Sequence, residues 1–399
     1  MFERNSTEER CDMAGASTFV DLLTGARADR ARAIGAALIR RGLTGHRVLV
    51  ALPPGADFVA HLLGCLHAGV VAVPVPPSAS ARLADIVDDA QPAAAIGRVA
   101  GVESLTGLDG GARDWRRPDL DADSLALLQY AAAGPVRGVM LTHGNLVAGA
   151  TQLVRHLGMR ADTGVVSYLP PYRDLGLVGG VLAPVLVGAP VTLVPGDASP
   201  DAWLHTMSAR RARIGFAPDL AYAWQGDREY RALDLSTWDV AVTGAGPATL
   251  DRFVECLAPH GFRRSALFPA YWSAEATALV ASRPGLAVNG FDLDTLEPGR
   301  LAKPGATALV DRGRAVSELD VAIVDPLTAT RCPDGTTGEV WVAGPNVAAG
   351  YLGRPMTSEQ TFCARLRGST ENYLRTGELG FLHNGGLHLA DTRPALVTR

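Results

Sequence analysis

Short apolar runs alternate with helix-period stretches over the first two-thirds of this chain. Residues 26–42 place apolar side chains at helical spacing between arginines, and 47–52 is a strand-like run stopped by Pro53-Pro54-Gly55. A predicted helix over 57–68 and a second strand over 69–75 complete a strand–helix–strand unit, which implies a parallel sheet. The alternation continues with strands predicted at 125–130, 164–169, 190–195 and 238–243, and helices at 142–158, 177–186 and 250–258. Past about residue 282 the pattern becomes alternating strands punctuated by Asp325-Pro326, Pro333-Asp334-Gly335 and Gly344-Pro345. The expected fold class is α/β: layered parallel-rich sheets with flanking helices over 14–281, then a smaller distorted β-barrel subdomain over 282–390.

Composition narrows this picture. The 399 residues are 47% hydrophobic and 20% charged with a net charge of −4, which gives no excess of positive charge for nucleic acid or an anionic membrane. Met1 to Arg10 is charged on both signs, and no apolar run is long enough to insert in a membrane, so cytoplasmic residence is expected. Five scattered cysteines without a C-x-x-C pair suit free thiols in a reducing compartment. Lys303 is the only lysine. Any chemistry that needs a lysine must use it or do without.

Four segments carry candidate chemistry. Tyr130-Ala131-Ala132-Ala133-Gly134-Pro135-Val136-Arg137-Gly138 is placed by this pattern between a strand and a helix, the context of a phosphate-cradling loop, yet it has no hydroxylated side chain besides Tyr130 and one cation, Arg137. Read alone, it is a turn. Tyr172-Arg173-Asp174-Leu175-Gly176-Leu177 sits where a parallel strand gives way to a helix, the edge at which open sheets bind ligands. Arg173 is equally readable as a solvated residue at a helix entry. In Tyr271-Trp272-Ser273-Ala274-Glu275, an aromatic ring suits a base and a carboxylate suits Mg²⁺. The plainer reading puts Glu275 near a helix N-terminus, where a negative charge is favoured anyway. Thr376-Gly377-Glu378 offers an acid that can take two ribose hydroxyls, or is a turn in a β unit.

Together, in this order, the four segments resemble the N-terminal part of the fatty acyl-AMP ligases, a branch of the acyl-adenylate-forming AMP-binding enzymes. Leu52-Pro53-Pro54-Gly55, Gly244-Ala245-Gly246-Pro247 and Cys332-Pro333-Asp334-Gly335-Thr336-Thr337-Gly338-Glu339 add to the likeness, which runs across nearly the whole chain. The resemblance implies activation of a fatty or other carboxylic acid with ATP and Mg²⁺, then transfer of the acyl group to an acyl carrier protein or polyketide synthase. It implies that Tyr271 stacks on the base, Glu275 holds Mg²⁺, Glu378 binds the ribose, and Gly134, Arg137 and Gly138 cradle phosphate, with Gly244 also against the nucleotide. It also places the 177–186 helix beside an acyl tunnel, although core packing is the expected role for most of its residues.

The chain departs from the family at each motif. The family loop resembles T-S-G-S-T-G-x-P-K-G, so its hydroxyls are lost and its lysine has become Arg137. Arg173 replaces a histidine beside the reacting carboxylate, Trp272 replaces a glycine, and Glu378 replaces an aspartate. Asp391-Thr392-Arg393-Pro394-Ala395 stands where the resemblance places a hinge and a ribose-binding arginine, so 391–399 is expected to be a hinge remnant, without the lysine-bearing C-terminal domain. Impaired adenylation is therefore expected. The alternatives are a scaffold that docks a carrier protein, or a half-enzyme completed by a C-terminal domain in trans.

Overall fold

Val48, Leu49 and Val50 have no exposed surface, and a strand buried on both faces is satisfied only inside a sheet that helices cover. In the computed structural model, which describes residues 16–390 apart from 24, 133 and 224–232, Arg47–Val50 is an inner strand of a seven-stranded sheet. Parallel neighbours Val71–Pro74 and Ala94–Ile96 flank it. The pleat sends Val48 and Val50 into one apolar cluster and Leu49 and Ala51 into another, as a period of two requires. Cys11 and the 391–399 segment lie outside the described residues.

A second seven-stranded sheet has the order Arg314–Ala315, Leu279–Ser282, Leu267–Trp272, Val240–Thr243, Ile214–Phe216, Val165–Ser167, Val191–Leu193. Its last five strands are parallel. Helix His143–His156 and the helical segment 174–186 pack in the apolar cluster that joins the two sheets. The far face of the second sheet is covered by an aromatic cluster in which Trp203 and Phe262 meet Trp238 edge-on at 5.2 and 4.9 Å. Gly215 allows this packing, because a Cβ there would lie 2.8 Å from the Trp238 ring.

A six-stranded antiparallel sheet follows, built on Asp320–Asp325, Gly338–Ala343 and Asn372–His383. The chain between its strands returns once to the first sheet, where Gly350–Tyr351 pairs with Val139–Thr142. This mixed α/β architecture is the expected fold class. Among the described residues, no helix is long and apolar enough to cross a membrane, and Cys65, Cys256, Cys332 and Cys363 are free thiols.

Three local expectations fail. The glycine loop opens into a strand, Val139–Thr142, which pairs antiparallel with Leu125–Gln129, so the loop closes a hairpin and does not lead directly into the helix, which begins at His143 close to its predicted start. Alternating burial of Val139 to Thr142 favours the strand. No helix follows Trp272. The chain turns there and returns antiparallel at Leu279–Ser282, so Glu275 is not at a helix N-terminus. The third helical segment starts early, at Asp174, and contains a π-turn over Val178–Leu182. Ala183 N–H reaches back five residues to Val178 O, just ahead of Pro184, which has no N–H to continue a regular ladder.

Helices Ala81–Ala90 and Pro200–Ala209 were not anticipated. The first has a Ser80 cap on Leu83 N–H at 3.1 Å and buries Leu83, Ile86 and Ala90. It frames the candidate site.

Burial holds His67 and His143 neutral, pushing each down to about 4 from an ordinary value near 6.5. The same cause lowers His156 and His388. These groups protonate more readily in the unfolded chain, so their contribution is complete above pH 6.5 and is lost as pH falls toward 4, at about 3 kcal/mol for each of the first two. Urea midpoints measured between pH 7 and 4.5 are expected to fall steadily. A flat profile would contradict the burial of neutral imidazoles.

Candidate functional site

A bulge brings the first acid into place. Gly338 and Glu339 pair with Gly380 and Leu379, while Trp341 pairs with Arg375, so Thr376, Gly377 and Glu378 together face only Val340. Gly377 carries φ +74°, which suits glycine. Thr376 Oγ1 donates to Val340 O at 2.7 Å, and Gly377 N–H donates to Glu339 Oε1 at 3.1 Å. Glu339 is also gripped by Arg375, at 2.7 Å from Nη2 to Oε2. Glu378 is thereby held out of the ladder, and the Tyr271 hydroxyl donates to its carboxylate. Tyr271 is only 6% exposed, and burial with that carboxylate raises its phenol well above the ordinary range.

The turn after Trp272 places the second acid. Ser273 Oγ donates to Glu275 Oε2 at 2.6 Å, and the Tyr351 hydroxyl donates to Oε1 at 3.0 Å. Ala348 N–H fixes the Glu275 carbonyl at 2.8 Å. Tyr351 owes its position to the strand that returns to the first sheet. The Arg137 guanidinium lies 5.5 Å from the centre of the Tyr351 ring.

The glycine loop is gripped from behind. Asp89 Oδ2 accepts from the Tyr130 hydroxyl at 2.8 Å and from Gly138 N–H at 3.2 Å, while its Oδ1 accepts from Arg354 at 2.5 Å. Arg82 donates to Ala131 O at 3.0 Å through Nε and to Gly134 O at 3.1 Å through Nη1. A Cβ on Gly138 would lie 2.8 Å from Tyr130 Oη, so a glycine is needed there for room. Gly134, at φ +78°, faces open space.

Tyr172 anchors the next motif by donating to Leu52 O at 3.0 Å. Asp174 follows with φ +47°, an uncommon conformation for a residue other than glycine or asparagine. Burial pushes its carboxyl up to about 6, with Arg173 opposing the rise and Glu275 adding to it. Burial also lowers Arg173, whose charged neighbours are Asp174 and Arg82.

Gly244 is fully engaged by its backbone. Its N–H donates to Asp219 Oδ1 at 2.9 Å, and its carbonyl accepts from Arg312 at 2.7 Å. A Cβ there would meet the Trp272 indole at 3.1 Å, so Trp272 lies against this glycine. Burial raises Asp219 and lowers Arg312, and each opposes the shift of the other.

The structure thus brings Tyr271, Glu275 and Glu378 to one cleft of about 250 Å³, which Ala131, Asp174 and Tyr351 also line. Arg137 reaches this group through Tyr351, and Arg173 adjoins it through Asp174. Gly138 turns its N–H away to Asp89. Gly244 meets the cleft by way of Trp272, which also lines it. Lys303 is exposed, its backbone tied to Asp292 and Thr295, and does not line the cleft. The 177–186 segment is packed core: a Cβ on Gly179 would sit 2.8 Å from Phe216, and one on Gly180 2.7 Å from Ser167. Arg82, Asp89, Tyr351 and Arg354 were not identified from sequence. Only the spacing of Leu83, Ile86 and Ala90 marks the helix that carries the first two.

Residues 25–352 match the AMP-binding enzyme family. The chain is 34% identical over 414 residues to the medium-chain-fatty-acid–[acyl-carrier-protein] ligase JamA of Moorena producens, covering 90% of this chain and 69% of that one. A putative fatty-acid–CoA ligase of Mycobacterium tuberculosis is 36% identical over 88% of this chain and 70% of its own length. A fatty acyl-adenylate ligase from L. pneumophila, solved with acyl adenylate and pyrophosphate, superposes with a TM-score of 0.87 at 26% identity, over 95% of this chain and 77% of that one.

Two substitutions test this geometry. Gly138→Ala forces Tyr130 off Asp89 and is expected to cost about 1–3 kcal/mol in denaturant unfolding; an unchanged midpoint would remove Gly138 from the frame. Asp174 acts opposite to the histidines, because its raised carboxyl favours the fold below pH 3.8 and weakens it as pH rises through 6. Asp174→Asn is therefore expected to stabilise at pH 8 by up to about 3 kcal/mol and to change little near pH 4.

Proposed function

Because this chain belongs to the AMP-binding enzyme family, in its fatty acyl-AMP ligase branch, we propose that it handles a fatty or other carboxylic acid with adenylation strongly impaired. ATP and Mg²⁺ are the co-reactants that the family implies, and the residues present fit them only in part. Glu275 suits Mg²⁺, since a carboxylate that accepts two hydrogen bonds keeps lone pairs for a cation that otherwise retains its waters. Glu378 would face the ribose hydroxyls. Tyr271 would lie beneath the base, but its ring is already covered and Trp272 occupies the side toward Gly244.

The observation that carries the proposal is the loop. A triphosphate needs N–H and hydroxyl donors aimed at its oxygens. Here Gly138 N–H is engaged by Asp89, Gly134 and Arg137 contribute one glycine and one cation, and alanines supply no hydroxyl. Hydrogen bonds to charged oxygens contribute roughly 1.5–3 kcal/mol each, so losing several removes most of the hold on the reacting phosphates. We derive no catalytic step through ATP for this chain. In this reading Arg173 takes no part in proton transfer, since a guanidinium stays charged where a histidine titrates. An acyl carrier protein or polyketide synthase in the cytoplasm is the partner of the same proposal.

The test is pyrophosphate release with ATP, Mg²⁺ and a panel of carboxylic acids, alone and with the C-terminal portion of a relative added in trans. Release at least about a hundredfold below a relative assayed in parallel is expected, in both arms. A rate within tenfold of that relative would overturn impairment, and rescue in trans would favour the half-enzyme.

A further inference from the structure

Trp272 differs from the other described tryptophans. Trp115 and Trp238 each donate from Nε1 to a backbone carbonyl at 2.8 Å. Trp203 and Trp341 are at most 3% exposed and pack against other rings. The Trp272 indole is partly buried and has no hydrogen bond and no ring partner among the described residues. Apolar contact alone holds it.

A local irregularity puts the indole where it is. Tyr271 pairs with Ala281 and Trp272 with Leu279, so Val280 is skipped and the register shifts between the two aromatic residues. An unbroken strand sends consecutive side chains to opposite faces, whereas here both line the cleft. The far edge of the indole reaches Gly244, where an added Cβ would lie 3.1 Å from Trp272 Cη2. Gly244 cannot retreat, because Asp219 fixes its N–H at 2.9 Å and Arg312 its carbonyl at 2.7 Å. A slot shaped for a flat ring, with a fixed wall, is thus filled from within the chain. The space left is about 250 Å³, below the range of roughly 300–1,000 Å³ usual for small-molecule pockets.

We infer that Trp272 is a built-in plug, whose indole fills the slot beside Gly244 and keeps the planar base of a nucleotide out of the cleft. This rests on the family reading above for the class of the excluded ligand. It adds a second and separate cause of impairment: the thinned loop weakens the hold on phosphates, whereas Trp272 acts on the base. A ring tethered to the chain competes from a high effective concentration and gives up no overall translation or rotation, so a free ring of similar size loses to it.

AMP separates the two causes, because it carries the base without the β- and γ-phosphates. Isothermal titration of the full chain with AMP and with ATP·Mg²⁺ compares the unsubstituted protein with Trp272→Gly, Trp272→Ala and Trp272→Phe. AMP is expected to bind the Gly and Ala variants at least about tenfold more tightly than the unsubstituted chain, and Trp272→Phe, which keeps a ring in the slot, within about threefold of it. Indole is expected to raise the Tm of Trp272→Gly, leave that of the unsubstituted chain unchanged, and compete with AMP by refilling the slot. No gain in AMP affinity in folded Gly and Ala variants would overturn the plug. So would a Kd for AMP below about 100 μM in the unsubstituted chain, a result that does not depend on any variant folding. The loop is read from the second ligand. ATP·Mg²⁺ is expected to bind Trp272→Gly no more tightly than AMP does, and a tenfold preference for ATP·Mg²⁺ would overturn the loop reading while leaving the plug standing.

Discussion

One carboxylate, that of Asp89, holds the frame on which the site depends. It accepts from the Tyr130 hydroxyl, Gly138 N–H and the Arg354 guanidinium, and so ties together helix Ala81–Ala90, the glycine loop and the segment after Gly350–Tyr351. These pieces lie far apart in sequence. The pair with Arg354 is largely buried on the aspartate side, where removing one partner leaves an uncompensated charge and is far costlier than at the surface. Because the carboxylate takes Gly138 N–H, this part of the loop's backbone serves architecture.

The same theme recurs around the cleft. Glu275 is satisfied by Ser273 and Tyr351, Tyr271 is bound to Glu378, Arg375 grips Glu339, and Gly244 is held at both backbone groups by Asp219 and Arg312. Residues whose types suggest ligand binding are largely partnered within the protein.

The α/β alternation and the later β unit were legible because hydrophobic period and glycine–proline punctuation are local signals, and the family through the resemblance of its short motifs in their order. The errors also have local causes. The strand Val139–Thr142 has no counterpart among the elements predicted from sequence, because four residues are too few to establish a period, and only pairing with Leu125–Gln129 and Gly350–Tyr351 stabilises it. The plainer reading of Glu275, near a helix start, fails because the return at Leu279–Ser282 puts it in an antiparallel turn. The π-turn before Pro184 has a sequence cause, yet the register it adopts depends on Phe216 and Ser167 against Gly179 and Gly180.

The sequence by itself determined which chemical groups this protein has: three alanines and one arginine in the glycine loop, Arg173 before Asp174, Trp272 after Tyr271, and a lone lysine at Lys303. It also determined the layered fold, since burial on both faces leaves a Val–Leu–Val strand few alternatives. Only the tertiary structure decided what each group faces. That Asp89 takes the Gly138 N–H, that Trp272 lies against Gly244, and that the Tyr351 hydroxyl reaches Glu275 follow from contacts between segments tens of residues apart. Electrostatic and steric fit are properties of distance in space, and no local pattern along the chain encodes them.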